Sequence, residues 1–166
     1  VPRSKSIQTT PAHQLALAAV YYSPLQYMYW YDKPSDSQDE PELKFFDDVY
    51  TTWDDTKVLQ GEVGEFITIA RRKGEEWFIG SITNNEKRVL SVSLDFLPEG
   101  KNYIAEIYTD GDKSVKTRTK VRVSTYRVSN KTKLNFCLKA SGGAAVRLVP
   151  DDGNIKSVKN YKQQRL

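Results

Sequence analysis

Residues 61–97 have the sequence GEVGEFITIARRKGEEWFIGSITNNEKRVLSVSLDFL, and this stretch decides the fold. It contains apolar runs rich in β-branched and aromatic residues at positions 65–70, 77–82 and 89–97, separated by short charged or turn-forming segments. In the last run apolar and polar residues alternate, which puts one strand face on a core and the other in water. The pattern predicts a β-meander of half-buried strands joined by short polar turns.

Strand patterns continue downstream of the meander. Residues 101–108, 115–128, 133–139 and 144–149 are each expected to form a strand, with turn residues between them. Seven or eight strands over about ninety residues fit an antiparallel β-sandwich. We therefore predict a mainly β protein.

The predicted domain organisation has three parts. Residues 51–150 form the β-sandwich, and residues 151–166 form a polar tail that we expect to be frayed. Residues 1–50 have a different, partly helical pattern and precede the sandwich.

An apolar helix is predicted near the start of the chain. Thr10 is a good N-cap and Pro11 suits the first helical position, so we expect a helix over residues 12–22. Its almost wholly apolar composition is typical of a helix that is buried on all sides. Ser23 and Pro24 interrupt the apolar run before the roughly 20 residues that a membrane span needs, so we expect no span.

The segments after this helix predict a fragment of an α/β architecture. Residues 25–31 are short and aromatic-rich, which predicts a buried strand, and residues 42–49 predict an amphipathic helix. The order helix, strand, helix is that of a (β/α)8 barrel or a doubly wound sheet. Such a strand lacks a partner here, so we expect an exposed apolar patch at 12–31, covered by other chains or by contact folded back onto the sandwich.

The composition excludes several classes of protein. The hydrophobic fraction is 39%, the mean hydropathy is −0.60 and the net charge is +4. The basic run at 113–122 alternates with Val and Thr, which favours a solvated strand face over a nucleic-acid site. Cys137 is the single cysteine, so an internal disulfide is excluded, and we expect it to be a small buried hydrophobe. The chain begins at Val1, and we expect it to be a piece of a longer protein.

The polar residues that could carry chemistry have simpler structural interpretations. His13 is the only histidine and would need a positioned partner to act as a base, so we expect a structural role. Asp54 and Asp55 are adjacent and point in different directions, which favours a turn over the carboxylate pair of a glycosidase. Asp110 and Asp112 lack the downstream bidentate Glu of a calcium loop, which favours a plain turn.

Strand aromatics offer another candidate site. Trp77, Phe78 and Tyr103 could form a carbohydrate platform on the sandwich. Aromatic residues in strands more often belong to the core, and we expect the core placement here.

Several motifs in this order resemble glycoside hydrolase family 97. They are HQLAL at 13–17, SPLQ at 23–26, TTWDDTKVLQGEVGEFITIARRKGEEWFIGSITN at 51–84 and LDFLPEGKNYIAEIYTDGD at 94–112. That family contains bacterial α-glucosidases and α-galactosidases. Asp55 stands where the family often has Glu, which is a minor departure.

The resemblance implies an N-terminal β domain, a catalytic (β/α)8 barrel and a C-terminal β domain in the parent enzyme. This chain would supply the end of the barrel, at residues 1–50, and the C-terminal domain. The family's catalytic carboxylates and its calcium-binding glutamates lie upstream, so no catalytic or metal-binding residue is assigned here. Calcium in the parent enzyme and a periplasmic or secreted location are further implications of the resemblance.

One substrate-pocket candidate follows from the resemblance. Asp32 and Pro34 match a D-x-P element after the eighth barrel strand, and loops at the carboxyl ends of barrel strands build the active site. Asp32, Tyr31 and Trp30 could therefore line the sugar pocket of the parent. The alternative is that Trp30 and Tyr31 belong to the barrel core and that Asp32 caps a turn.

The function predicted from the sequence is that of a non-catalytic module. It would pack on the barrel of a family 97 glycosidase and stabilise the enzyme or its oligomer, and its partners would be the rest of the parent and, through it, α-linked glycans. The alternative is a carbohydrate-binding β-sandwich. A row of exposed aromatic residues on one sheet face would favour that alternative.

Overall fold

The computed structural model describes residues 8–27, 30, 40–154 and 157–162. These residues form a mainly β structure with helices only in the N-terminal part, as predicted. The helices are α1 (Pro11–Val20), a 3-10 turn (Pro41–Leu43) and α2 (Lys44–Asp48). The strands are β1 (Asp55–Glu62), β2 (Phe66–Lys73), β3 (Glu76–Thr83), β4 (Arg88–Ser93), β5 (Asn102–Asp110), β6 (Val121–Ser129), β7 (Lys133–Leu138) and β8 (Gly143–Pro150).

The strands form two antiparallel sheets of unequal size. The large sheet has six strands in the order β1-β2-β3-β8-β5-β6, and the small sheet has two, β4 and β7. The prediction of an antiparallel two-sheet domain is therefore confirmed. The meander is only partly right, because β1, β2 and β3 pair in succession but β4 crosses to the small sheet and pairs with β7. The free edge of β3 is taken by β8 instead.

A hydrophobic core fills the space between the two sheets. Its members come from the inward faces of both sheets, as the period-two pattern predicts. On the small sheet they include Leu90, Val92, Leu134 and Phe136, and on the large sheet they include Trp77, Ile79, Tyr103, Ala105, Ile107, Val146 and Leu148.

Helix α1 covers the opposite face of the large sheet at very close range. A Cβ added at Gly80 would lie 2.5 Å from the carbonyl oxygen of Ala16, and one added at Gly143 would lie 2.6 Å from the Cα of His13. The helix presents small side chains at this contact, among them Ala16 and Ala19, which are wholly buried. Glycine in the strands and alanine in the helix let the two backbones approach.

The N-terminus of α1 is held by the predicted cap. The Oγ1 of Thr10 accepts a hydrogen bond from the backbone nitrogen of His13 at 3.2 Å. The Nδ1 of His13 lies 3.1 Å from the carbonyl oxygen of Gly142, to which it can donate a hydrogen bond. The predicted structural role of His13 agrees with this geometry, which ties the helix start to the loop before β8.

Three local predictions are wrong. Strand β6 starts at Val121 and not at residue 115, because Lys120 adopts a positive φ of 58° that interrupts extended backbone. Cys137 is exposed, because Leu134, Phe136 and Leu138 take the inward positions of β7 and leave Cys137 on the outer face. The tail is not frayed over 157–162, since the backbone of Arg127 on β6 hydrogen-bonds to Lys159 and Tyr161.

No helix among the residues that the structure describes is long and apolar enough to cross a membrane.

The close contact at Gly80 makes a direct prediction. Gly80→Ala should lower the free energy of unfolding by about 1–3 kcal/mol, because the added methyl overpacks the helix–sheet contact. Denaturant unfolding followed by tryptophan fluorescence measures the change. Gly143→Ala should act in the same direction, because its Cβ would lie 2.6 Å from the Cα of His13 in the same helix–sheet contact. Equal stability of Gly80→Ala and the unsubstituted chain would contradict the packing described.

The burial of His13 predicts a pH dependence of stability. Burial lowers the pKa of His13 below its ordinary value of 6.5, although the carbonyl of Gly142 and the charge of Asp110 act in the opposite direction. The unfolded chain therefore binds a proton more readily at this site, so the contribution of His13 to stability is present above pH 6.5 and is lost as the pH falls below it. The single imidazole gives one set of NMR signals, whose titration midpoint should lie below 6.5. A midpoint at or above 6.5 would show that the ring is not buried in this way.

Candidate interface on the helix side of the large sheet

The helix side of the large sheet has its own aromatic core. The ring of Phe78 lies at its centre, with ring centroids of Trp53, Tyr50 and Phe45 at 5.5, 5.8 and 6.0 Å. Phe45 also contacts Tyr108 at 5.4 Å. The central strands of this sheet are therefore buried on both faces, by the small sheet on one side and by the N-terminal segment on the other.

Arg71 joins the C-terminus of α1 to the sheet. Its guanidinium donates hydrogen bonds to the carbonyl oxygens of Ala19 and Val20, the latter at 2.9 Å, and to the Oγ1 of Thr56 at 2.8 Å. The side chain is buried, and the ring of Tyr22 lies 5.1 Å from its guanidinium carbon. A cation here satisfies the unpaired carbonyls at the negative end of the helix dipole.

Arg147 fixes α2 on the same face. Its guanidinium lies 2.7 Å from Asp48 of α2, 2.8 Å from Glu76 of β3 and 3.5 Å from Glu106 of β5. Lys44 of α2 adds contacts to Asp48 and Glu106. The hydrogen bond and charge of Glu76 raise the pKa of Arg147 despite its partial burial. This shared network places α2 over the β8–β5 part of the sheet.

The chain beyond α1 exposes apolar side chains. The tyrosine edge, defined here as Tyr21, Tyr22, Leu25 and Tyr27, is largely in solvent, with Leu25 76% exposed and Tyr27 97% exposed. It borders a cavity of about 240 Å³ between α1 and Phe46 of α2. Among residues 12–27 and 30, the apolar patch expected at 12–31 is thus confined to this edge, because α1 itself folds back onto the sandwich and is buried.

The predicted strand at 25–31 has no strand conformation at the positions that the structure describes. Residues 25–27 and 30 are irregular, and a barrel strand has no neighbouring strand here with which to pair. Met28, Tyr29 and Tyr31 lie outside the described residues, as does the candidate Asp32.

Trp30 lies in the helix-side core and not on an open surface. It is 6% exposed, its Nε1 donates to Oε2 of Glu40 at 2.7 Å, and its ring meets Phe46 edge-on at 5.5 Å. The ring is therefore buried against the β domain of this chain. Its role as a lining residue of a sugar pocket stays a prediction.

Two carboxylates are buried in the structure although the sequence did not predict their burial. Glu40 accepts hydrogen bonds from Trp30 and Arg118, and the wholly buried Glu42 accepts one from the hydroxyl of Thr119. They flank Pro41 in a polar stretch, where no periodic pattern marks burial. Both bring the loop before β6 into contact with the N-terminal segment.

The adjacent pair Asp54 and Asp55 serves local structure, as expected. Asp54 accepts hydrogen bonds from the backbone of Gly74 at 2.8 Å and from Lys73 at 3.0 Å, which closes the β2–β3 hairpin. The Gly74 hydrogen bond, followed by Lys73, lowers the pKa of Asp54. Asp55 accepts from the backbone nitrogen of Thr56 at 2.8 Å.

Asp110 and Asp112, in the loop at residues 109–112, also form hydrogen bonds within the chain. Asp110 accepts hydrogen bonds from the backbone nitrogens of Lys139 at 2.9 Å and Gly143 at 3.2 Å. The hydroxyl and backbone of Ser114 bind Asp112 and lower its pKa. Across the described ranges, no three His, Cys, Asp or Glu side chains converge on a point where they could hold a metal ion.

The strand aromatics do not form a carbohydrate platform. Trp77, Phe78 and Tyr103 are all buried, as the core interpretation predicts. A polar cleft of about 940 Å³ between β6 and β7 contains two half-buried rings, Tyr126 and Tyr161. These rings stand at 87° to each other and pack edge-on, so they do not form one flat surface.

Comparison with known proteins identifies the relatives of this chain. A family model described as "Glycosyl-hydrolase 97 C-terminal, oligomerisation" matches residues 52–149. A curated "Retaining alpha-galactosidase" of Bacteroides thetaiotaomicron is 34% identical over 142 residues, which is 85% of this chain and 21% of that protein.

Solved structures give the same result. A glycoside hydrolase family 97 enzyme from Pseudoalteromonas sp. strain K8, in complex with acarbose, matches with a TM-score of 0.77 and 37% identity over 86% of this chain and 23% of that one. A β-arabinopyranosidase matches with a TM-score of 0.67 and 25% identity, over 84% of this chain and 21% of that one. The chain thus spans less than a quarter of the length of these relatives. Because the family model covers more than half of it, the chain belongs to glycoside hydrolase family 97, whose C-terminal segment it contains.

Proposed function

We propose that the chain acts as the C-terminal, non-catalytic part of an α-glycosidase of the α-glucosidase or α-galactosidase type. In this role the β domain packs on the catalytic barrel and stabilises the enzyme or its oligomer. The tyrosine edge carries the proposal, because a contiguous set of exposed tyrosines and a leucine beside a cavity is typical of a surface that another folded unit covers.

The position of the tyrosine edge along the chain supports the catalytic barrel as its partner. The tyrosine edge continues directly from α1, whose sequence belongs to the stretch that resembles the end of the family's barrel. Arg71 and Arg147 hold α1 and α2 in fixed positions on the sheet. A barrel that contacts the tyrosine edge would therefore sit in a defined orientation on the β domain.

Three further expectations belong to the same proposal. Asp32, with Tyr31 and Trp30, would lie near the sugar pocket of the parent enzyme. The family resemblance implies calcium in the parent enzyme, held by glutamates upstream of this segment. A periplasmic or secreted location follows from the family resemblance.

The tyrosine edge can be tested by cysteine labelling. In a Cys137→Ser background, Leu25→Cys should react rapidly with a maleimide in the isolated chain, and its rate should fall by about tenfold or more in the full-length enzyme, where the barrel excludes the reagent. Val89→Cys on the small sheet, where Val89 is 55% exposed, is the matched control and should react equally in both. Rapid labelling of Leu25→Cys in the full-length enzyme would contradict the proposed contact.

The chain alone should not hydrolyse glycosides. Glycoside hydrolysis needs two carboxyl groups about 5–10 Å apart across the scissile bond, and the acids that the sequence offered as a pair are engaged in turns. Nitrophenyl α-glucoside and α-galactoside should release no nitrophenol above the buffer rate. Turnover that disappears on substitution of one residue of this chain would refute the non-catalytic role.

A further inference from the structure

A second apolar surface lies along β1, an edge strand of the large sheet. Val58 on β1 is 67% exposed, and Val63 in the β1–β2 turn is fully exposed. Together with Gly61, Ile67 and Ile82 they line what we call the β1 trough, an open groove of about 550 Å³. Exposed apolar side chains on an edge strand favour association, and natural proteins usually avoid or cover them.

The strand register shows which side of the sheet the trough occupies. Val58 lies opposite Ile69 on β2. Gly61 lies opposite Ile67, which in turn lies opposite Ile82 on β3. Because side chains of directly opposed residues share a face, the trough is on the helix side of the sheet, beyond the strands that α1 covers.

Two charged residues of β1 lie on the other side. Lys57 is opposite Ala70 and Glu62 is opposite Phe66, and both of these partners pack in or against the core between the sheets. Within the described part of the chain, Glu62 has no ion-pair partner. Lys57 forms an ion pair with Asp55 at 3.4 Å. The edge strand thus offers a cation at one end and an acid at the other.

These features make β1 complementary to itself. If two copies of β1 are placed antiparallel about a two-fold axis between Leu59 and Gln60, Val58 of one copy faces Gly61 of the other, on the same side of the extended sheet. On the opposite side, Lys57 faces Glu62. A glycine opposite each valine leaves room for the protruding side chain, and opposite charges stabilise a cross-strand pair.

We propose that the β1 edge and its trough bind a second copy of this chain through this two-fold contact. The inference rests on the oligomerisation role of the module, which the matching family model names without assigning a surface. An isologous contact needs one patch that carries both protrusion and recess, and Val58 with Gly61 supplies both.

The irregularity in β1 explains why association through this contact would stop at a dimer. The register of β1 against β2 shifts between Val58 and Gln60. A bulge of this kind twists an edge strand and interrupts its row of hydrogen-bonding groups. The contact is therefore short and depends on side chains. Such a contact favours a closed dimer over open-ended edge-to-edge association of strands.

Sedimentation velocity on the chain itself, over a concentration series, tests the proposal. The unsubstituted chain should dimerise, and Val58→Asp or Val63→Asp should weaken the dimer by about tenfold or more, because each places a carboxylate in an apolar contact without a partner. Val89→Asp is the matched control, since Val89 is also an exposed valine but lies on the small sheet. It should leave the dimer intact.

A charge swap tests the register. Lys57→Glu and Glu62→Lys should each weaken the dimer by about tenfold, and the double variant should restore it, because the opposite charges face each other again. Circular dichroism confirms that every variant is folded. A monomeric unsubstituted chain, or a double variant as weak as the single ones, overturns the proposal.

The tyrosine edge supplies the competing outcome. Tyr27→Asp should leave the β1 dimer unchanged. If Tyr27→Asp abolishes association and Val58→Asp does not, the copies meet through the tyrosine edge and the β1 contact is wrong. The labelling of Leu25→Cys in the full-length enzyme is independent of this result, so failure here does not decide the barrel contact.

Discussion

The structure depends on the contact between the backbone of α1 and two glycines of the large sheet. At Gly80 and Gly143 the helix lies so close that no side chain fits between them. This closeness brings the carbonyls at the end of α1 within reach of Arg71, whose side chain rises from β2 on the same face. It also joins α1 to the buried cluster that contains Phe78. The hydrophobic burial and the buried hydrogen bonds on this side both follow from one short backbone approach.

The unequal sheets give the module its layered form. The small sheet covers one face of the large sheet, and the N-terminal segment covers the other, so the central strands are buried on both sides. Strand β3 shows this most clearly, since Trp77 and Ile79 face the small sheet while Phe78 faces the helices. A strand covered on both faces has a continuous apolar run and no alternation, which is the pattern of residues 77–82.

The sequence predicted the strands best where one face meets water. In β4 the alternation of apolar and polar residues gave the correct inward set, Leu90 and Val92. The crossing of β4 to the other sheet could not be predicted, because alternation fixes the face of a strand but not its neighbour. The apolar composition of residues 25–31 suggested burial, yet Leu25 and Tyr27 are exposed, since no element among the described residues covers them. No pattern of apolar and polar residues could predict the burial of Glu42, because Glu42 accepts its hydrogen bond from Thr119, which is distant in sequence.

The position of α1 also determines where this protein can be divided. The family model begins at residue 52, which suggests a domain boundary at that residue. A cut at this boundary would remove α1 together with Phe45 of α2, which packs on Phe78, and would leave the guanidinium of Arg71 without the carbonyls that it binds. Exchange of this module between relatives by recombination would therefore preserve the fold only if the crossover lay upstream of Thr10. The helix that precedes the β domain in the sequence therefore forms a single structural unit with it.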